Sequence, residues 1–180
     1  MREIEIKAKV TDPKGLLQRI RDLGITLSDP IKQHDVVYAE PGSTDNALNA
    51  NWLRIRIEND ERTYFTLKRS VVGHLDSIEH ETLVNDADEL RAIVEQLGFT
   101  QYSDLTKIRR KGAYGDIELC LDEVPGLGNF VEAELIMHKD SDHDKVIRQL
   151  WDLFDSLNIH KADEVHEGYD VLERKKRGIA

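Results

Sequence analysis

The chain has 180 residues, 39% hydrophobic and 33% charged, with a net charge of −10 and one cysteine. That length suits a single domain (residues 1–180) with a real core, and no apolar run reaches the ~18–20 residues of a membrane span. The lone Cys120 excludes an internal disulfide and a Cys-based zinc site, and the acidic balance argues against nucleic-acid binding through a broad basic surface.

The first expected element is a strand, Glu3 to Val10. No signal peptide is visible before it, so a cytoplasmic protein is expected. Residues i and i+2 of a strand share a face. Glu3, Glu5, Lys7 and Lys9 therefore lie on one side, and Ile4, Ile6, Ala8 and Val10 on the other. Two carboxylates about 7 Å apart, followed by two ammonium groups, suit a metal ion beside a polyanion. A helix follows, capped by Thr11 or Asp12, with Pro13 at its first position and an apolar stripe of Leu16, Leu17, Ile20 and Leu23. Gly24 ends it.

Further strands are expected at Lys32 to Tyr38, Trp52 to Glu58 and Thr63 to Lys68, the last two joined by a turn at Asn59-Asp60-Glu61. Glu40 to Asn51 reads as a mobile loop. A second strand–helix unit starts at Ser77 to Glu81, with Glu79 and Glu81 one residue apart. Its helix starts near Asp86, carries Leu90, Ile93, Val94 and Leu97, and stops at Gly98. Asp12 to Thr26 matches Asp86 to Thr100 without a gap. Lys107 to Lys111 and Ile117 to Leu121 form a hairpin around Gly112 to Gly115. A third unit opens with Glu132 and Glu134 on Phe130 to Glu134 and runs through Asp140-Ser141-Asp142 into a helix carrying Val146, Leu150, Leu153 and Leu157. It ends at Asn158, where the other two have Gly. The tail, Glu164 to Leu172, reads as a short helix before a basic run from Arg174 to Arg177.

Sorted by parity, one face of these strands carries Glu3, Glu5, Lys7, Lys9, Arg54, Arg56, Arg62, Lys68, Glu79, Glu81, Lys107, Arg109, Lys111, Glu118, Asp122, Glu132 and Glu134. The other face is apolar and needs the amphipathic helices as cover, which makes the fold α+β. A polar face can simply be solvated. Here Arg and Lys are grouped on some strands and Glu on others, so a sheet closed into a barrel with this face inward would bring them together. Carboxylates bind Mg²⁺ or Mn²⁺, arginines grip phosphate through forks, and lysines act as point charges. Such a set can hold a triphosphate for phosphoryl or nucleotidyl transfer, which needs positioning and charge neutralisation rather than a covalent nucleophile. Cys120 shares the polar parity but reads as inert. His34, His74, His80, His138, His143, His160 and His166 show no metal-ligand spacing and read as surface or structural. No P-loop or Rossmann glycine pattern is present.

These segments resemble the CYTH family, the triphosphate tunnel metalloenzymes. Glu3-x-Glu5-x-Lys7 resembles its ExExK signature, Leu53-Arg54-Ile55-Arg56 its arginine strand, Thr66-Leu67-Lys68 its TxK strand and Lys107-Ile108-Arg109 its KxR strand. Leu121 to Glu134 is similar to its DxVxxLGxFxExE run, and Gly168-Tyr169-Asp170-Val171-Leu172 to its closing SYxxLL segment, with Gly168 for Ser. The resemblance implies a closed eight-stranded antiparallel barrel with helices outside. It implies metal binding (Mg²⁺ or Mn²⁺) by Glu3, Glu5, Glu132 and Glu134, with Asp122 assisting. Triphosphate contacts would come from Lys7, Arg54, Arg56, Lys68, Lys107 and Arg109, and Glu5, Lys7 and Glu134 would stand at the chemistry. The length and the LGxFVExE run look most like the class IV adenylyl cyclase branch, which makes cyclic AMP and pyrophosphate from ATP. Hydrolysis of tripolyphosphate, thiamine triphosphate or a nucleoside triphosphate is the alternative, and a non-catalytic phosphate-binding module the remote one. The expected partner is a small triphosphate, not nucleic acid or a membrane. The sequence leaves open a homodimer through the outer helices.

Overall fold

The computed structural model describes residues 2–43, 50–70, 76–137 and 142–179. His74, His138, the Asp140-Ser141 part of the third helix start and positions 44–49 of the expected loop lie outside the described residues. Eight strands form a closed antiparallel barrel in the order β1-β5-β4-β3-β2-β6-β7-β8. They are β1 (Arg2–Val10), β2 (Ile31–Ala39), β3 (Asn51–Glu58), β4 (Arg62–Ser70), β5 (Asp76–Val84), β6 (Thr100–Tyr114), β7 (Ile117–Val124) and β8 (Gly128–Met137). The helices are α1 (Pro13–Asp22), α2 (Ala87–Gln96), α3 (His143–Ser156) and α4 (Tyr169–Arg177).

Local chemistry explains the boundaries. Asp12, Asp86 and Asp142 cap α1, α2 and α3, each accepting backbone N–H bonds from the first turn. Gly24 and Gly98 follow the first two helices with positive φ, and Asn158 does the same after α3 at φ 57°. Asn is the residue that best tolerates this left-handed conformation after Gly, so the three strand–helix units end alike. Asn59 and Asp60 also adopt positive φ, which matches the twist of a tight hairpin and brings Glu58 opposite Arg62.

Three expectations needed correction. The C-terminal helix runs over Tyr169–Arg177, not from Glu164 to Leu172, and takes in the basic run. The strand expected at Lys107 to Lys111 lies within a 15-residue strand that begins directly at Thr100 and runs on to Tyr114, so the hairpin turns at Gly115-Asp116 rather than around Gly112 to Gly115. Phe99 N–H bonds the Val94 carbonyl as α2 ends, and the chain turns into β6 without a loop. Also, α2 covers the sheet far less than its stripe suggests: Val94 is buried, but Ile93 and Leu97 are 48% and 70% exposed.

The chain falls into two compact units, one of Lys32–Lys107 with Glu167–Ala180 and one of Arg2–Ile31 with Ile108–His166. The second has the larger core. Ile4, Ile6 and Ala8 of β1 and Val131 and Ala133 of β8 pack with Leu16 and Ile20 of α1 and with Leu150, Leu153 and Phe154 of α3. The first packs Val36, Tyr38, Leu53 and Ile55 with Val94 of α2. Among the described residues, no helix is long and apolar enough to cross a membrane.

Candidate functional site

In the second unit, strand register sets the charged face. Glu118 of β7 lies opposite Glu134 of β8, and Glu134 lies opposite Glu5 of β1. Three carboxylates thus form one row across three strands. Like charges directly opposite each other are unfavourable unless something neutralises them. Glu134 answers by holding a proton: burial first, then the neighbouring Glu5, raise its pKa to about 8. Glu118 accepts from Lys111 Nζ at 2.6 Å, and this pairing, opposed by burial, keeps it ionised more readily than usual. The Cys120 Sγ lies 3.5 Å from a Glu118 oxygen. Glu118, Cys120 and Glu134 each offer a donor atom within 4.8 Å of the others.

One step along the strands, Cys120, Glu132 and Lys7 form the next row. Lys7 is 2% exposed. Its ammonium sits 3.1 Å from Glu132 and 3.3 Å from Glu5. Burial works against the charge, but these two carboxylates outweigh it and raise the lysine pKa. Arg109 of β6 grips Asp122 through Nε and Nη2, the first bond 2.7 Å long, and Nη2 also contacts Glu132. Burial opposes that charge too, but Glu132 and Asp122 hold it firmly on.

The first unit is arranged differently. Arg56 donates to both oxygens of Asp35, each bond 2.7 Å, in a buried fork. Burial would raise the Asp35 pKa, but Arg56, with Arg54 and Lys107 beyond it, holds it well below the ordinary carboxylate range. Lys68 meets Glu79 at 2.9 Å, and Arg54 lies 3.9 Å from Glu79 and 3.4 Å from Glu81. Burial of Glu79 is likewise outweighed by Lys68 and Arg54, which bring its pKa down to about 2. Thr66 sits between, donating to Glu81 at 2.7 Å and accepting from Arg54 at 3.2 Å. Lys107 is buried, its ammonium 4.8 Å from the centre of the Tyr169 ring.

The CYTH domain profile matches residues 1–169 of this sequence. The chain belongs to the CYTH domain family. A Methanocaldococcus jannaschii protein named "Putative adenylate cyclase MJ0240" is 27% identical over 172 residues, which cover 94% of this chain and 97% of the relative. Among solved structures, the PH1012 protein of Pyrococcus horikoshii shares the fold with a TM-score of 0.82 at 24% identity, covering 94% of this chain and 98% of that one. HpAC1 from Hippeastrum, described as an adenylyl cyclase candidate with a dominant triphosphatase activity, gives 0.64 at 17% identity, covering 100% and 97%.

For a CYTH chain the placement of the expected residues is informative. Glu5, Lys7, Glu132 and Glu134 are neighbours on β1 and β8, and Glu3 is half-buried near the end of β1. Arg54, Arg56, Lys68 and Lys107 all belong to the first unit. Asp122, expected to assist a metal, accepts from Arg109 in a buried fork. Three groups escaped the sequence reading. Asp35 sits at polar parity on β2, where the neighbouring Lys32, Gln33 and His34 mask the alternation. Glu118 was placed on the polar face without a role. Tyr169 was matched to the closing segment, but nothing in the sequence ties it to Lys107. His34 bonds Asp104 at 2.8 Å, and His80, His160 and His166 are exposed, in keeping with structural or surface roles.

Proposed function

We propose that this protein is a divalent-metal-dependent enzyme acting on a triphosphate, with adenylyl cyclase-like chemistry as the leading reaction. The observation that carries the reading is the row Glu118–Glu134–Glu5, set beside the buried Lys7 in the second unit. A carboxylate that keeps its proton up to about pH 8 marks a place where positive charge is wanted. Hard oxygen donors suit Mg²⁺ or Mn²⁺, so Glu5, Glu134 and Glu132 would hold the ion, with Glu3 at the margin and Glu118 as an additional donor. Bound there, the ion would neutralise charge developing on phosphate oxygens.

The remaining work falls to the chain's own residues. Glu132 and Glu5 fix the Lys7 ammonium, and Asp122 and Glu132 fix the Arg109 guanidinium, so neither must reorganise when charge develops. Arg54, Arg56, Lys68 and Lys107 would take the triphosphate oxygens, with Asp35 and Glu79 holding the first three of them in place until substrate arrives. In the cyclase reaction the ribose 3′ oxygen bonds to the α-phosphorus and the bond to pyrophosphate breaks. The name of the M. jannaschii relative supports this reading. In the second reading, water attacks the terminal phosphorus, the bond to the bridging oxygen breaks, and the diphosphate portion leaves as orthophosphate forms and a proton is released, using the same charged groups. The activity described for HpAC1 supports this alternative.

The test is to offer ATP, tripolyphosphate and thiamine triphosphate with Mg²⁺ or Mn²⁺ and separate the products. Cyclic AMP with pyrophosphate establishes the cyclase. Orthophosphate without cyclic AMP establishes the triphosphatase. Tight triphosphate binding with no turnover of any substrate would leave only a binding module. We further propose that residues 1–180 act as one functional domain in the cytoplasm.

A further inference from the structure

We propose that Tyr169 is a positioning residue for Lys107, which makes the C-terminal helix part of the substrate-binding apparatus. Tyr169 is the first residue of α4, follows the extended Gly168, and is 7% exposed. Its ring stands 4.8 Å from the Lys107 ammonium, which is itself 3% exposed. A lysine normally keeps its charge in bulk water and moves freely on a four-carbon stem. Here both freedoms are curtailed, and the seat includes a π-face.

The chemistry of that seat matters. Lys7 and Arg109 are held by carboxylates, which fix a cation and cancel much of its charge. An aromatic face attracts a cation through its quadrupole and leaves the net charge in place. The Tyr169 ring therefore holds the Lys107 ammonium in place without adding an opposing charge of its own. Within the same unit, the Lys107 charge already reaches Asp35, so it acts on the basic set formed with Arg56 and Arg54.

The helix that delivers the ring is itself fastened. The Arg174 guanidinium lies 4.1 Å from the centre of the Tyr102 ring, and its Nη1 donates to the Tyr102 carbonyl at 3.0 Å. Tyr102 meets Trp52 edge-on, with centroids 4.9 Å apart. Tyr102 and Lys107 are both on β6, so α4 is tied to one strand at two points, by Arg174 at one and by Tyr169 at the other. The ring is thus fixed relative to the lysine it holds.

This inference rests on the triphosphate function proposed above, and the experiment keeps the two apart. Position 169 is replaced by phenylalanine, then by its mono-, di- and trifluorinated analogues, which withdraw electron density from the ring face with little change in shape. Tripolyphosphate binding is measured by calorimetry with Mg²⁺, alongside KM and kcat. Tyr169→Phe is expected to bind within about twofold of the parent. Affinity should then fall stepwise with fluorination, and Tyr169→Leu should lose roughly three- to thirtyfold. The loss should appear in KM, with kcat changed less than about twofold. A flat fluorine series would overturn the proposal, as would Tyr169→Phe binding as poorly as Tyr169→Leu. The series retains the ring, so it decides the matter even if Tyr169→Leu fails to fold. If the parent binds tripolyphosphate but turns over no substrate, the enzyme reading fails, and the series still decides the role of the ring.

Discussion

Asp35 and Glu79 in the first unit titrate in the opposite direction from Glu134 in the second, although Asp122 and Glu132 of the second unit are paired with cations just as the first unit's carboxylates are. In the first, Asp35 and Glu79 face arginine and lysine, and both are driven to ionise. In the second, Glu134 faces Glu5 and Glu118 across the strands and is driven to stay protonated. The same residue chemistry, on strands of the same sheet, titrates in opposite directions because of its cross-strand neighbours. A depressed carboxylate marks cations gathered for an anion that substrate could replace. An elevated one marks a missing cation. Under the proposed function, Asp35 and Glu79 would lie beside the phosphate-binding cations and Glu134 beside the metal.

The strongest way to break this comparison is to remove one partner from a buried fork. Asp35→Ala leaves the Arg56 guanidinium buried beside Arg54 and should cost about 3–5 kcal/mol in urea unfolding. The double change Asp35→Leu with Arg56→Leu should recover most of that stability while abolishing tripolyphosphate binding. An Asp35→Ala protein as stable as the parent would mean that the fork is not a structural element.

Next in size is Glu134→Gln in the acidic row. Metal-dependent turnover should fall roughly 10²–10³-fold, while the thermal midpoint at pH 8 holds or rises, because the amide removes a carboxylate that resists ionisation. Unchanged turnover would sink the metal assignment.

A smaller, graded effect comes from pH. Below its folded pKa of about 8, Glu134 must release a proton for metal to bind. Mg²⁺ affinity should therefore improve up to about tenfold per pH unit and level off above pH 8. In the metal-free protein the same group contributes stability that is complete below the ordinary carboxylate range and is lost as pH rises towards 8. Asp35 and Glu79 do the reverse: their contribution is present above the ordinary range and is lost as pH falls towards their depressed values. Thermal midpoints from pH 3 to 9 should show a maximum on the acid side of neutrality. Glu134→Gln should remove the alkaline decline and leave the acid one.

The smallest change is expected on α2. Leu97 is 70% exposed, so Leu97→Ser should alter stability by less than about 0.5 kcal/mol, whereas Leu150→Ala in the packed face of α3 should cost about 2–5 kcal/mol. Equal costs would contradict the difference between the two cores.

Much of this was legible in the sequence because it depends on local periodicity. Parity alone separated Glu5 and Lys7 from Ile4 and Ile6, and left-handed caps placed Gly24, Gly98 and Asn158 at equivalent ends. The rows were not legible. Glu5, Glu134 and Glu118 become neighbours only through the register of β1 on β8 and of β8 on β7, and a one-residue slip would bring Glu5 opposite an apolar side chain. Asp35 was missed because it follows His34, and Lys32, Gln33 and His34 blur the polar–apolar alternation at that end of β2. The exposure of α2 was hidden for a different reason: an apolar stripe states that a face wants cover, not how much the fold provides.

Cys120 offers a practical opening. It is the chain's sole thiol, fully buried, and held in its neutral form mainly by burial, with the nearby glutamates adding to that and Arg109 opposing it. Alkylating and maleimide reagents act on the thiolate of an accessible cysteine, so the native protein should be silent towards them. A cysteine introduced on α4 would then be the single reactive handle, and a fluorophore attached there could report directly whether the C-terminal helix shifts when a triphosphate arrives.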